Sequence, residues 1–245
     1  MGGMNAGEVA SQIVVDSLKR IFSDLDSVAL DDSGSVKDFI RQAIVEADGE
    51  IKKYAVAHPE TEGMGSTVVL AWLLGETVYV GWCGDSRAYC YNPANGLVRL
   101  SHDHSYVQEL VDGNKISEEH AFNHPNSNII TRSLGDSGEK ARPEVMEYPL
   151  HGGDVLLLCS DGLCGLLRHE ETESILSGNR HSVKDCLNAL WQRGQEEGWT
   201  DNVTIELAKV VSGGIKPTEE PEGYDISRKF SSSPGVAEER KAPRW

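Results

Sequence analysis

Three acidic residues stand beside small residues where apolar runs begin or end. They are Asp85 in Gly84-Asp85-Ser86, Asp161 in Ser160-Asp161-Gly162 and Asp201 in Thr200-Asp201-Asn202. Asp85 and Asp161 follow the runs 77–83 and 155–159, whereas Asp201 precedes the run 202–211. If the last run pairs antiparallel with 155–159, Asp161 and Asp201 lie at the same end of one sheet. Carboxylates gathered there repel one another unless a cation neutralises them. All-oxygen ligands select magnesium, manganese or calcium over zinc. Two such ions about 3.5–4 Å apart activate a bridging water for attack on phosphorus. On spacing alone two readings stand, because a strand-end Asp is also a common turn former.

Other chemistries have weaker support. No G-x-S-x-G elbow occurs, and no Cys is followed by the C-x-x-x-x-x-R pattern of a phosphate loop. Gly63-Met-Gly-Ser-Thr67 matches neither a P-loop nor a dinucleotide fingerprint. His102 and His104 open a helix, a position that predicts exposed or capping side chains. The five Cys (83, 90, 159, 164 and 186) are odd in number and form no C-x-x-C, which reads as buried free thiols in a reducing compartment.

The elements that must position these residues follow from the patterning. Val9, Ile13, Val14, Leu18 and Ile21 share one helical face from Gly7 onward. A second helix spans 36–57, where Pro59 bars its continuation. Runs 66–74 and 77–83 flank Gly75-Glu76 and predict a hairpin. Strands follow at 88–91 and 97–100, then a helix capped by Asp103 or Ser105. Residues 114–140 read as polar and irregular, and 145–150 as a strand. The unbroken run Val155–Cys159 predicts a strand buried on both faces. Helices at 170–176 and 183–196 and a last strand at 202–211 complete the pattern. Hairpin-length turns rather than βαβ spacing predict an α+β fold, two stacked, mainly antiparallel sheets flanked by helices. Residues 1–211 form the domain. Residues 212–245 hold four of the nine Pro, with six basic against six acidic side chains and no apolar period, as expected of a disordered tail or linker.

Composition narrows the partners. With 23 Lys and Arg against 39 Asp and Glu, the net charge of −16 disfavours nucleic acid and anionic membranes. No 18-residue apolar run and no secretory signal is present, so a soluble, cytoplasmic monomer is expected.

Seven short motifs, in order across residues 1–211, carry a resemblance. They are Met1-Gly-Gly…Gly7-Glu8-Val-Ala, Gly65-Ser-Thr67, Gly84-Asp85-Ser-Arg87, Asp103-His-Ser105, Ile130-Thr-Arg-Ser-Leu-Gly135, Ser160-Asp161-Gly162 and Asp201-Asn202. Together they resemble the metal-dependent protein phosphatase 2C family, in its bacterial branch. The resemblance implies an αββα sandwich that hydrolyses phosphoserine and phosphothreonine in proteins and opposes a serine/threonine kinase. It implies a binuclear magnesium or manganese centre whose bound water is the nucleophile, with no catalytic protein side chain. Asp161 and Asp201 then correspond to metal ligands, and Asp85 to the acid that helps hold a third, weaker ion. Arg87 corresponds to a structural position.

The departure is at the front. In the family an Asp-Gly precedes the position of Met1, and an Arg that grips phosphate and an Asn-Glu-Asp-like motif lie further upstream. The expectation is an intact bacterial phosphatase whose reading frame starts upstream. Residues 1–245 alone are then expected to show at most trace activity and poor solubility. The alternative is a non-catalytic, phosphatase-like module that binds a partner.

Overall fold

Helix α1 (Gly7–Ser23) and helix α2 (Ser33–Ala57) realise the two amphipathic stripes. The structure, a computed structural model, describes residues 6–25 and 32–211. The start of the glycine-rich opening and the expected tail 212–245 therefore lie outside the described residues. The chain forms two compact units. One comprises the chain up to Trp72 with Val78–Ser86 and Leu100–Tyr148, and the other Leu73–Thr77, Arg87–Arg99 and Pro149 onward.

In the first unit α1 packs on α2. A capping box starts α2 three residues earlier than its apolar period does. The Asp32 carboxylate accepts from Ser35 N at 2.7 Å, and Asp32 N donates to Ser35 Oγ at 3.1 Å. This reciprocal pairing satisfies two amide groups that a helix start otherwise leaves open. Val36, Ile40, Ala43, Ile44, Ala47 and Ile51 form the buried stripe, while Phe39 and Tyr54 on the same helix are half-buried. Strands β1 (Val68–Leu74) and β2 (Thr77–Cys83) form the expected hairpin, with Gly75 at φ +59° in the turn. Their sheet has the order β1-β2-β5, where β5 is Glu144–Pro149. Gly81 of β2 lets α2 lie directly on the sheet, because a Cβ there would collide with Ile40 Cγ2 and come within 3.2 Å of Ile44 Cδ1. Helix α3 (Tyr106–Asp112) is capped by Ser105, whose Oγ accepts from Gln108 N at 3.2 Å.

The stretch expected to be irregular, 114–140, contains a short helix, α4 (Glu118–Phe122), capped by Ser117. It is also tied down at two isolated antiparallel bridges, Ser66 with Leu134 and Ser105 with Ile130. Ser66 is spent on its bridge, which is why β1 starts at Val68 rather than at 66.

The second unit holds strands β3 (Arg87–Asn92), β4 (Gly96–Arg99), β6 (Val155–Cys159) and β7 (Ile205–Lys209) in the antiparallel order β4-β3-β6-β7. Helix α5 (Asp161–Cys164) is a single turn after β6, followed by α6 (His169–Asn179) and α7 (Val183–Glu197). Val155, Leu157 and Cys159 enter a core with Tyr89, Leu176, Cys186, Leu187 and Leu190. Leu156, on the opposite face of β6, is buried as well, so both faces of this strand are covered. An apolar run without alternation demands that arrangement. The chain is thus an α+β fold with two antiparallel sheets flanked by helices. All five cysteines are buried and none is in a disulfide. Among the described residues no helix is long and apolar enough to cross a membrane.

Candidate metal centre

Antiparallel pairing of β6 with β7, in a register that sets Cys159 opposite Ile205, puts the end of one strand beside the start of the other. The ladder then continues in altered form. Ser160 N donates to Thr204 O at 3.1 Å, and Thr204 N donates to Ser160 Oγ at 3.0 Å. This use of residues 202–204 explains why β7 begins at Ile205 rather than at 202. Gly162 completes the approach, since a Cβ there would collide with the Asn202 carbonyl oxygen. No larger residue fits between α5 and the segment leading into β7.

These contacts bring Asp161 and Asp201 together. Asp161 is exposed at its surface but sits where protein mass partly desolvates it. Burial, and then the negative charge of Asp201, push its carboxyl above the usual range. Gly162 N donates to Asp161 Oδ1 at 3.0 Å, and Asn202 N donates to Asp201 Oδ1 at 2.7 Å. Among the described residues neither carboxylate forms an ion pair with a Lys or Arg. Asp161, whose ionisation burial and the charge of Asp201 oppose, and Asp201 beside it offer oxygen alone and suit a hard divalent cation.

Asp85 lies in the first unit, half-buried, just after β2. The residue before it, Gly84, has φ +121°, and a Cβ there would collide with the Thr67 side chain. Thr67 Oγ1 and Ser86 Oγ are 2.9 Å apart. Among the described residues no group of three or more His, Cys, Asp or Glu side chains forms a ready-made metal cage. Arg87 donates to the Tyr89 hydroxyl at 3.2 Å within its strand, a structural contact.

The two histidines divide. His102 is exposed and pairs with Asp112 Oδ2 at 2.8 Å, as expected for a helix start. His104 is not exposed: only 4% of it is accessible. Its ring stacks beside Trp82, with centroids 6.2 Å apart. Its Nδ1 accepts from Gly84 N at 3.1 Å, and its Nε2 lies 3.3 Å from Glu144 Oε1. Burial, and then the Arg132 guanidinium, push its pKa down against the opposing pull of Glu144 and Asp103. Burial works against ionisation of Glu144, but its hydrogen bond from Arg132 and the neighbouring His104 outweigh that and hold its pKa below the usual range. A helix-start rule cannot foresee this burial, which depends on β2 and β5.

Asp48 is a second buried polar residue, 2% exposed on α2. It accepts from Gly135 N at 2.8 Å, Ala141 N at 3.2 Å and Lys52 Nζ at 2.8 Å. Its spacing from Ile44 and Ile51 puts it on the buried stripe, which was the available signal. Burial pushes the Cys83 thiol up to about 11 and the Cys90 thiol up to about 12, so neither offers a thiolate near neutral pH.

Known proteins show which family the chain belongs to. The protein phosphatase 2C family model matches residues 1–203. The serine/threonine phosphatase stp of Listeria welshimeri is 36% identical over 211 residues, covering 85% of this chain and 81% of that protein. The serine/threonine protein phosphatase PstP of Mycobacterium tuberculosis is 32% identical over 212 residues, covering 86% of this chain and 39% of that one. A crystal structure of a bacterial serine phosphatase superposes with a TM-score of 0.77 at 33% identity, covering 86% of this chain and 83% of that chain. The catalytic domain of PstP in complex with two manganese ions superposes with a TM-score of 0.73 at 30% identity, covering 86% and 85%. With a family model matched over most of its length and its fold in common with these proteins, the chain belongs to the protein phosphatase 2C family, in the bacterial-type branch.

Proposed function

We propose that this protein is a serine/threonine phosphatase that removes phosphate from phosphoserine and phosphothreonine in proteins, in opposition to a cognate serine/threonine kinase. Asp161 and Asp201 hold magnesium or manganese, and Asp85 contributes to a third, weaker ion. The observation that carries the reading is the Asp161–Asp201 pair at the joined ends of β6 and β7, whose mutual repulsion calls for a counter-charge. When bound, the ions supply an activated water and offset charge on the phosphoester. The chain's own part is positional. The Gly162 and Asn202 amides each fix one carboxylate oxygen and so aim the pair. The hydrogen bonds between Ser160 and Thr204 hold the two segments in register. No side chain of the pair needs to attack phosphorus.

The test is hydrolysis of a phosphothreonine peptide by the protein with millimolar manganese. Asp161→Asn should lower turnover by about 100-fold or more, since even residues that only orient ligands cost 10–100-fold. Unchanged turnover in a folded Asp161→Asn protein would overturn the assignment. Manganese binding without hydrolysis in the parent protein would favour the non-catalytic module instead.

A further inference from the structure

We propose that His104 is the positioning residue of the Asp85 carboxylate, acting through the backbone of Gly84. This rests on the reading of Asp85 as a ligand for magnesium or manganese. Both polar backbone groups of Gly84 are engaged by His104. Gly84 N donates to His104 Nδ1 at 3.1 Å, and His104 N donates to Gly84 O at 2.9 Å. The Gly84 carbonyl belongs to the peptide plane that carries the Asp85 nitrogen. The His104 backbone amide holds that plane and its ring Nδ1 holds the preceding one, which carries the Gly84 nitrogen, so the two bonds together fix the Gly84 backbone and the direction from which the Asp85 side chain departs. Glycine is the residue with the widest choice of backbone conformation, and here it sits at φ +121°. A glycine before a ligand therefore needs an outside restraint, and His104 provides one from the buried side of the turn.

The ring is in turn held by its neighbours. Because Nδ1 accepts from an amide, the ring proton of the neutral imidazole is on Nε2, facing Glu144 Oε1 at 3.3 Å. Arg132 Nη1 donates to the same Glu144 oxygen at 2.7 Å and lies 3.1 Å from Nε2. Trp82 covers the ring face, and its own Nε1 donates to His102 O at 2.8 Å. Thr67 fills the space a Gly84 side chain would take, so the turn cannot relax toward it. The line of control runs from Glu144 through His104 and Gly84 to Asp85. Partners of this kind, one step removed from a ligand, are known to change metal affinity about 10–100-fold when removed.

Two substitutions separate the two ends of the ring. His104→Asn keeps an acceptor near the Nδ1 position and loses the reach to Glu144. His104→Gln keeps a donor toward Glu144 and loses the acceptor for Gly84. Manganese binding to the protein is measured by the loss of the free-ion electron paramagnetic resonance signal, at a temperature where melting curves show every variant folded. The manganese concentration giving half-maximal peptide hydrolysis is read alongside. His104→Gln should weaken the Asp85-dependent binding about tenfold, and His104→Asn should recover most of that loss. In an Asp85→Asn background His104→Gln should cost nothing further, because residues acting through one another are not additive. Equal losses from Asn and Gln, or additive losses in the double variant, would overturn the positioning role while leaving Asp85 a ligand. Unchanged manganese binding in Asp85→Asn alone would overturn the ligand reading, and the positioning role with it.

Discussion

Asp161 carries a conflict that only a ligand resolves. Partial burial and the charge of Asp201 raise its folded pKa above the ordinary Asp value of about 3.9. A raised carboxyl pKa contributes stability below the ordinary value, and that contribution is lost as pH rises through the folded value. The metal-free protein should therefore be destabilised at neutral pH by ionised Asp161. Asp161→Asn, which cannot ionise, should melt higher than the parent in chelator near pH 7, with the gap closing as pH falls toward about 4. Excess manganese should reverse the order at pH 7. Melting curves across this range check the prediction, and identical curves in chelator would refute the conflict. His104 shows the opposite behaviour at the same scale. A polar residue at a helix start reads as a surface group, yet its ring is held between Trp82, Gly84 and Glu144. Both of its neighbours in the chain, Asp103 and Ser105, are buried too.

Elements came out of the sequence well wherever apolar period and punctuation agreed. Val155–Cys159 and Thr77–Cys83 match strands residue for residue, and α2 ends before Pro59. Ends shifted where a side chain or a bridge outside the period took over, as with Asp32 at the start of α2 and Ser160 opposite Thr204. The packing of α2 on β2 gives a test at this scale. Gly81→Ala would drive a methyl group into Ile40, and overpacking of this kind costs about 1–3 kcal/mol. Urea unfolding should show a lower midpoint with an unchanged slope, since the same surface is exposed on unfolding. A midpoint equal to that of the parent would mean α2 does not rest on Gly81.

For the whole molecule, the net charge of −16 and the paired carboxylates point the same way. Cations gather near such a surface, though at physiological ionic strength the field decays over about 8 Å, so affinity must come from the site itself. A ligand that binds only the folded state stabilises it by about 2.7 kcal/mol at 100 times its Kd. For a domain of 150–250 residues that amounts to roughly 5–10 °C in melting midpoint. Manganese should raise the midpoint of the protein by that order and leave Asp161→Asn nearly unmoved. A shift of equal size in both would place the stabilising ion elsewhere.

The sequence by itself determined the α+β class, the order of the strands along the chain and the identity of the acidic strand ends. Those features depend on local period, turn residues and short motifs, all of which act between near neighbours. It also carried the family, because seven motifs in order are difficult to reproduce by chance. The meeting of Asp161 with Asp201 was conditional on how two strands pair, and the β6–β7 register decided it. Tertiary structure alone decided that His104 is buried, that Asp48 fastens Gly135 and Ala141, and that 114–140 is pinned at two bridges. In each case a polar group is satisfied by partners distant in sequence, and burial of polar groups is set by what surrounds them rather than by what precedes them.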